Sequence, residues 1–281
     1  VPNPAAPGQF TRQQFPDNRI PASRIDPISR RVLEYYPLAN RDTVVQNFVQ
    51  NNTRANDTNR QFVRFDQSLG ARHRLFLTFG KQGNTQFSPG INIAFPGEGV
   101  NGEQGQVKSN AISTVLSDTV TFSPSFIGQF RVSATRRVIQ TELRSKGFDF
   151  TQLGFPQSLK DRAKTLIFPR FAPADVAPLG ADRASNFTDA EGNYEGQAHV
   201  TWLRGSHSIK AGYDYMFQYF NIFRPERPSG VYDFARTFTQ GPNPTASNAT
   251  AGHGVATFLL GAPTGGSFSD DPSLATSQLY Y

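Results

Sequence analysis

A chain of 281 residues with 37% hydrophobic residues and a mean hydropathy of −0.46 holds no apolar run long enough for a membrane-spanning helix. That leaves membrane β-barrels untouched, since a barrel strand needs only about 10 residues of alternating polarity. The absence of cysteine excludes disulfides, thiolate metal sites and cysteine nucleophiles, and the net charge of +6 comes from Lys and Arg too scattered to form a nucleic-acid-binding face.

Twenty-five phenylalanines and nine tyrosines, with 24 glycines and 20 prolines, lean towards β structure joined by long loops. The opening "VPNPAAPGQF" lacks the charged start and apolar stretch of a signal peptide, so it reads as cytoplasmic or as part of a mature or internal segment. Residues 1–56 read as a loop carrying one short helix over about 27–36. Asp26 is its N-cap and Pro27 its first residue, Ile28, Val32, Leu33 and Tyr36 give the apolar spacing, and Pro37 stops it.

Three hairpins follow, predicted over 57–82, 109–140 and 193–221. In the first, a turn around Leu69-Gly70-Ala71 sets Phe65 opposite Leu75 and Val63 opposite Leu77. In the second, a turn at Ser123-Pro124-Ser125 pairs Phe122 with Phe126, Val120 with Gly128, Leu116 with Val132 and Thr114 with Ala134. In the third, Gly205-Ser206 brings Arg204 opposite His207, Trp202 opposite Ile209, Val200 opposite Ala211, Ala198 opposite Tyr213 and Gly196 opposite Tyr215. All three registers put the apolar residues on one face, and a one-residue slip would scatter each set. Asp118 breaks the pattern, falling on the apolar row opposite Phe130. Either it sits beyond the apolar layer, where a charge costs little, or a bulge shifts the register there.

Connections of roughly 83–108, 141–192 and 222–275 alternate with these tight turns. The last carries a second short helix over about 253–261, ended by Gly261 and Pro263, and residues 276–281 begin another strand. The fold class expected is all-β: an antiparallel transmembrane β-barrel segment of about 7 to 9 long meandering strands, with short periplasmic turns, long extracellular loops and one or two short helices.

Glu195, Gln197, His199, Lys210 and Asp214 form the polar row of the third hairpin, with Gln197 opposite Asp214 and Thr201 opposite Lys210. They are the lumen-facing candidates, either touching plug or solute or forming a solvated, mutually hydrogen-bonded wall. Other motifs carry less. "GEGVNG" at Gly97, Gly99 and Gly102 has the dinucleotide spacing without the flanking strand and helix. His73, His199, His207 and His253 lack metal-ligand spacing, Asp270-Asp271 lacks the EF-hand pattern, and no GxSxG elbow occurs. No catalytic, cofactor or metal site is expected.

The stretches "NRIPASRIDPISRRVLEYYPLAN", "TFSPSFIGQFRVSATR", "TWLRGSHSIKAGYDY" and "GVATFLLGAP", in this order, resemble the barrel portion of TonB-dependent outer-membrane receptors. The nearest group is the Oar-like, acidobacterial type with a carboxypeptidase-regulatory-like domain, and the similarity runs from about Asn18 to Tyr281. The resemblance implies a place in the cell outer membrane among its lipids, and active uptake of a scarce solute with energy delivered by TonB-ExbB-ExbD. It also implies a barrel of about 22 strands closed by a plug. Neither plug nor TonB box is legible here, so the chain reads as a fragment of such a receptor. The competing expectation is a soluble or surface-attached β-sandwich for adhesion or carbohydrate binding. There, the rows Tyr213-Tyr215-Phe217-Tyr219 and Phe130-Val132-Ala134 would face a second sheet. A passive porin is a third.

Overall fold

The computed structural model describes residues 11–51, 53–87, 105–181, 187–241, 251–269 and 272–280; the "GEGVNG" stretch and Asp270-Asp271 lie outside them. Seven antiparallel strands form one sheet in chain order: β1 (Ala55–Leu69), β2 (His73–Phe87), β3 (Gly105–Ser123), β4 (Phe126–Leu143), β6 (Phe187–Arg204), β7 (His207–Pro225) and β10 (Pro272–Tyr280). Three short strands, β5 (Arg170–Pro173), β8 (Val231–Phe234) and β9 (Gly265–Ser267), make a separate sheet in which β5 and β8 run parallel. Among the described residues the large sheet is open, with β1 and β10 at its edges.

Local chemistry accounts for the turns. Between β6 and β7, Arg204 pairs with His207 across Gly205-Ser206, and Gly205 has φ +59° while Ser206 stays in the ordinary region. Glycine with positive φ at the first of two loop positions is the requirement of a type II′ hairpin, whose twist suits the flanking strands. Every pair expected in this hairpin is present.

In the β3–β4 hairpin the expected pairs Val120–Gly128, Leu116–Val132 and Thr114–Ala134 form, but Phe126 pairs with Ser123 and not with Phe122. Pro124 fixes φ near −65°, so the primed turns are closed to it, and a bulge at Phe122 absorbs the mismatch. The Phe122 and Phe126 rings still stack, 5.1 Å between centroids. The register runs unbroken through Asp118, opposite Phe130. Asp118 thus lies among the apolar rows and not beyond them as expected; its Oδ2 is 2.8 Å from His73 Nδ1, one strand away, while Oδ1 is buried with no hydrogen-bond partner among the described residues.

The first hairpin differs from expectation by two residues. Phe65 pairs with Leu77 and Val63 with Phe79, and the loop is Gly70-Ala71-Arg72. A two-residue shift returns every side chain to its original face, so alternation alone cannot detect it. The loop starts where φ is +63°, at Gly70, the residue that takes this conformation without strain.

With these registers the sheet has one apolar and one polar face. The apolar face carries Val63, Phe65, Leu77, Phe79, Leu116, Val132, Tyr194, Tyr213 and Tyr215, and it is open: Tyr213, Phe65 and Val132 are 68%, 60% and 56% exposed. No strand of the small sheet contacts the long strands. The second layer that a sandwich requires is therefore absent among the described residues.

The buried core lies elsewhere. Val32, Phe150, Leu153, Phe168, Phe171, Leu179, Phe234 and Phe258 pack together from the N-terminal segment and from the β4–β6 and β7–β10 connections. Their rings meet mostly edge-on, as between Phe234 and Phe258 (5.2 Å) and between Tyr35 and Phe168 (5.0 Å), the geometry that the ring quadrupole favours. Three short helices frame the core: α1 (Pro27–Leu33), α2 (Gln157–Arg162) and α3 (Gly254–Leu259). The Asp26 carboxylate accepts from Ser29 N at 2.8 Å, capping α1. Helix α1 stops at Leu33, and Tyr35 and Tyr36 continue only as a tighter turn, donating to the Val32 and Leu33 carbonyls. Asp26 N donates to the Leu259 carbonyl at 2.8 Å and the Ser29 hydroxyl to that of Phe258, which ties α1 to α3. Both long connections leave the sheet at the end opposite its tight turns, so this loop body sits at that end.

Candidate functional site

Glu195, Gln197 and His199 on β6 and Lys210 and Asp214 on β7 share the polar face; Gln197 pairs with Asp214 and Thr201 with Lys210 in the backbone register. His199 stands opposite Gly212, and its ring occupies the space a Cβ there would need. Lying flat over the glycine, the imidazole reaches diagonally, and its Nε2 is 3.1 Å from Asp214 Oδ2. Glu195 accepts from the Ser133 hydroxyl on β4 at 3.3 Å.

The same face continues across the sheet with residues that the sequence reading left out. Arg64 grips Asp66 with two 2.7 Å bonds and lies 4.3 Å over the Phe76 ring. Arg137 meets Glu191 at 3.3 Å, and Arg224 meets Asp189 through Nε at 3.1 Å. For Arg64, Asp66 and Arg137 the signal was already in "TNRQFVRFDQS" and "GQFRVSATRR", where charged or hydroxylated residues alternate with the apolar positions. Exposed pairs of this kind contribute about 0–1 kcal/mol each, so their chief consequence is a wetted wall of alternating charge. Among the described residues, no three His, Asp or Glu side chains converge as a metal site.

The loop body carries its own ion pairs. Asp175 accepts from Arg236 Nε at 2.8 Å and from the Gly254 backbone N–H, with His253 Nδ1 at 3.5 Å. The Arg236 bond, helped by the Gly254 amide, holds the Asp175 carboxyl below its usual range against the opposing effect of burial. Burial pushes the Tyr232 hydroxyl up to about 12, between Phe155 and Phe171. Asp149 is pulled from 3.8 to about 2 by Lys160, 2.6 Å away, and by the Thr151 hydroxyl and N–H. Because the folded value lies below the unfolded one, this contact stabilises the loop above about pH 4 and is lost as pH falls through about 2. Carbon-detected NMR of the Asp149 carboxyl should show a midpoint near 2, and Lys160→Gln should move it back towards about 4.

The apolar face is banded. At the tight-turn end Phe122, Phe126 and Trp202 cluster; at the other end Tyr194, Phe217 and Tyr219 stack with centroids 6.0 to 6.2 Å apart. Trp202 and Tyr194 are eight residues apart on β6, about 26 Å along the strand and about 20 Å along the normal at a tilt near 40°, within the roughly 25 Å apolar band of a membrane barrel. Long strands, tight turns at one end, long connections at the other and an aromatic row at each margin fit a strand wall that meets hydrocarbon on one face only.

Comparison with known proteins agrees. Searches of curated proteins and of solved structures returned no match. A family model described as "Outer membrane beta barrel domain" matches residues 1–281, the full length given. On that match and on a sheet with one open apolar face, the chain belongs to the outer membrane beta barrel domain family and is an outer-membrane protein.

Proposed function

We propose that this chain is part of the barrel of a TonB-dependent receptor, contributing to the capture and active uptake of a scarce solute. The observation that carries this reading is the loop body. Passive diffusion does not call for loops folded around eight buried side chains, whereas capture needs a binding surface of fixed shape beyond the membrane. In this reading solute binds at the loop body and then meets the polar wall of Glu195, Gln197, His199, Lys210 and Asp214. A plug moved by TonB-ExbB-ExbD, contributed by a region outside this chain, releases it inward. The segment itself makes and breaks no covalent bond, carries no cofactor and binds no nucleic acid.

Cells producing the full-length receptor should gain growth on one of a panel of iron chelates, corrinoids, oligosaccharides or peptides supplied as the limiting nutrient. Deleting TonB should abolish that gain. Growth that survives the deletion would instead favour a passive porin.

A further inference from the structure

We propose that the apolar face holds a binding site for a phosphate-headed acyl lipid, in a trough that ends one row short of the row holding Arg136 and Lys81. The proposal rests on the reading that this face meets hydrocarbon.

The trough follows from side-chain size. Val132 and Ala134 on β4 and Gly196 and Ala198 on β6 form a low floor, with Leu116 rising on one side and Tyr215 on the other. Two adjoining depressions, about 450 and 370 Å³, share Leu116, Val132 and Tyr215. A concavity in a wall facing hydrocarbon loses dispersion contacts unless a chain fills it, and from that side the available filler is an acyl chain.

The charge at its outer end selects the headgroup. Arg136 lies two residues beyond Ala134 on the same face of β4. Lys81 is in the same row, linked through Ile112 and so about 10 Å away across two strand spacings. Both side chains are exposed. The row from Gln61 to Tyr219 contains no acidic residue, and neither does the next row outward, from Asn59 to Asn221. The contrast with the polar face is direct: there Arg64, Arg137 and Arg224 each meet an acid, and Arg137 is the immediate neighbour of Arg136. Among the described residues no acid pairs with the two cations on the apolar margin, which leaves them open to an anion from outside the protein. Next to hydrocarbon, at the level of the Tyr219 ring that lies over Gly192, that anion is a lipid phosphate, which a guanidinium grips with two parallel bonds. Asp118 lines the far end of the first depression, three rows and about 20 Å along the strand from Arg136, with its Oδ2 paired to His73, so it faces the acyl tail and not the headgroup.

The test uses the protein in zwitterionic detergent micelles, titrated with phosphatidic acid bearing a fluorescent acyl chain and read by anisotropy. Diacylglycerol with the same chain is the control. Binding of phosphatidic acid should be saturable, and Lys81→Gln/Arg136→Gln should weaken it about 30-fold, towards the level of diacylglycerol. Gly196→Leu should abolish it by filling the trough. A Cβ at Gly196 meets nothing within 4 Å, so this variant keeps the fold. In parallel, brominated phosphatidylcholine should quench Trp202 in vesicles. If Trp202 is quenched but phosphatidic acid binds all three proteins alike, the lipid site is overturned and the barrel reading stands. If Trp202 is not quenched, both fall.

Discussion

Phe258→Ala will release the loop body while leaving the seven-stranded sheet assembled. Phe258 is 1% exposed, and its ring meets Phe234 at 5.2 Å and Phe171 at 5.9 Å, so it joins α3 to both short strands of the parallel pair. Its backbone carbonyl also receives the Ser29 hydroxyl from α1. Truncating a buried phenylalanine costs about 3–5 kcal/mol, a large share of what eight buried side chains can supply to so small a body. Trypsin should then cut rapidly after Lys160, Lys164 and Arg170, while the β signal in circular dichroism and the protection of the long strands persist. Leu38, 89% exposed, is the control, and Leu38→Ala should leave the pattern unchanged. Equal digestion of both variants would mean that this core does not hold the loops.

Val132→Arg should destabilise the protein in a bilayer by about 1–3 kcal/mol, whereas Ser133→Arg, one residue on, should change stability by no more than about 0.5 kcal/mol. Val132 lies in the row with Leu116, Gly196 and Tyr215, one row inside the Tyr194 margin and three rows from Phe126 and Trp202, so a guanidinium there would enter the apolar band. Ser133 points to the polar face, where Glu195 already accepts from it and would receive the new cation. Urea titrations of the protein refolded in phosphatidylcholine vesicles measure both. A pair of equal shifts would remove the distinction between the faces.

Much of the sheet was legible because two-residue alternation is a local signal and each tight turn fixes a register within a few residues. Gly205-Ser206 gave the β6–β7 pairing throughout, and Pro124 failed only at the bulged Phe122, next to the turn it constrains. The first hairpin shows the limit of parity: with the loop displaced by one residue, Phe65 exchanges Leu75 for Leu77 and no side chain changes face. The five polar candidates were placed on one face by the same parity. The diagonal His199–Asp214 contact was not, since it depends on Gly212 leaving room for a ring.

The loop body could not be read in this way. Strands β5 and β8 are four residues each, too short for alternation to register, and their parallel pairing joins residues about sixty apart in sequence. Phe150, Phe168 and Phe234 fall in stretches without helical or strand period, and what unites them is tertiary. The one available signal was the density of aromatics in "FDFTQLGF", "LIFPRFAP" and "VYDFARTF", more than a solvated loop would carry.

The central claim is that one face of this sheet meets hydrocarbon and the other water. Because the chain has no cysteine, single spin-labelled cysteines can be placed from Phe130 to Thr135 on β4, and their collision rates with oxygen and with a water-soluble nickel chelate compared in vesicles. The account predicts strict alternation, with labels at Phe130, Val132 and Ala134 favouring oxygen and those at Arg131, Ser133 and Thr135 favouring the chelate. Labels at Phe130, Val132 and Ala134 that are shielded from both reagents would place those side chains inside a packed core and contradict it.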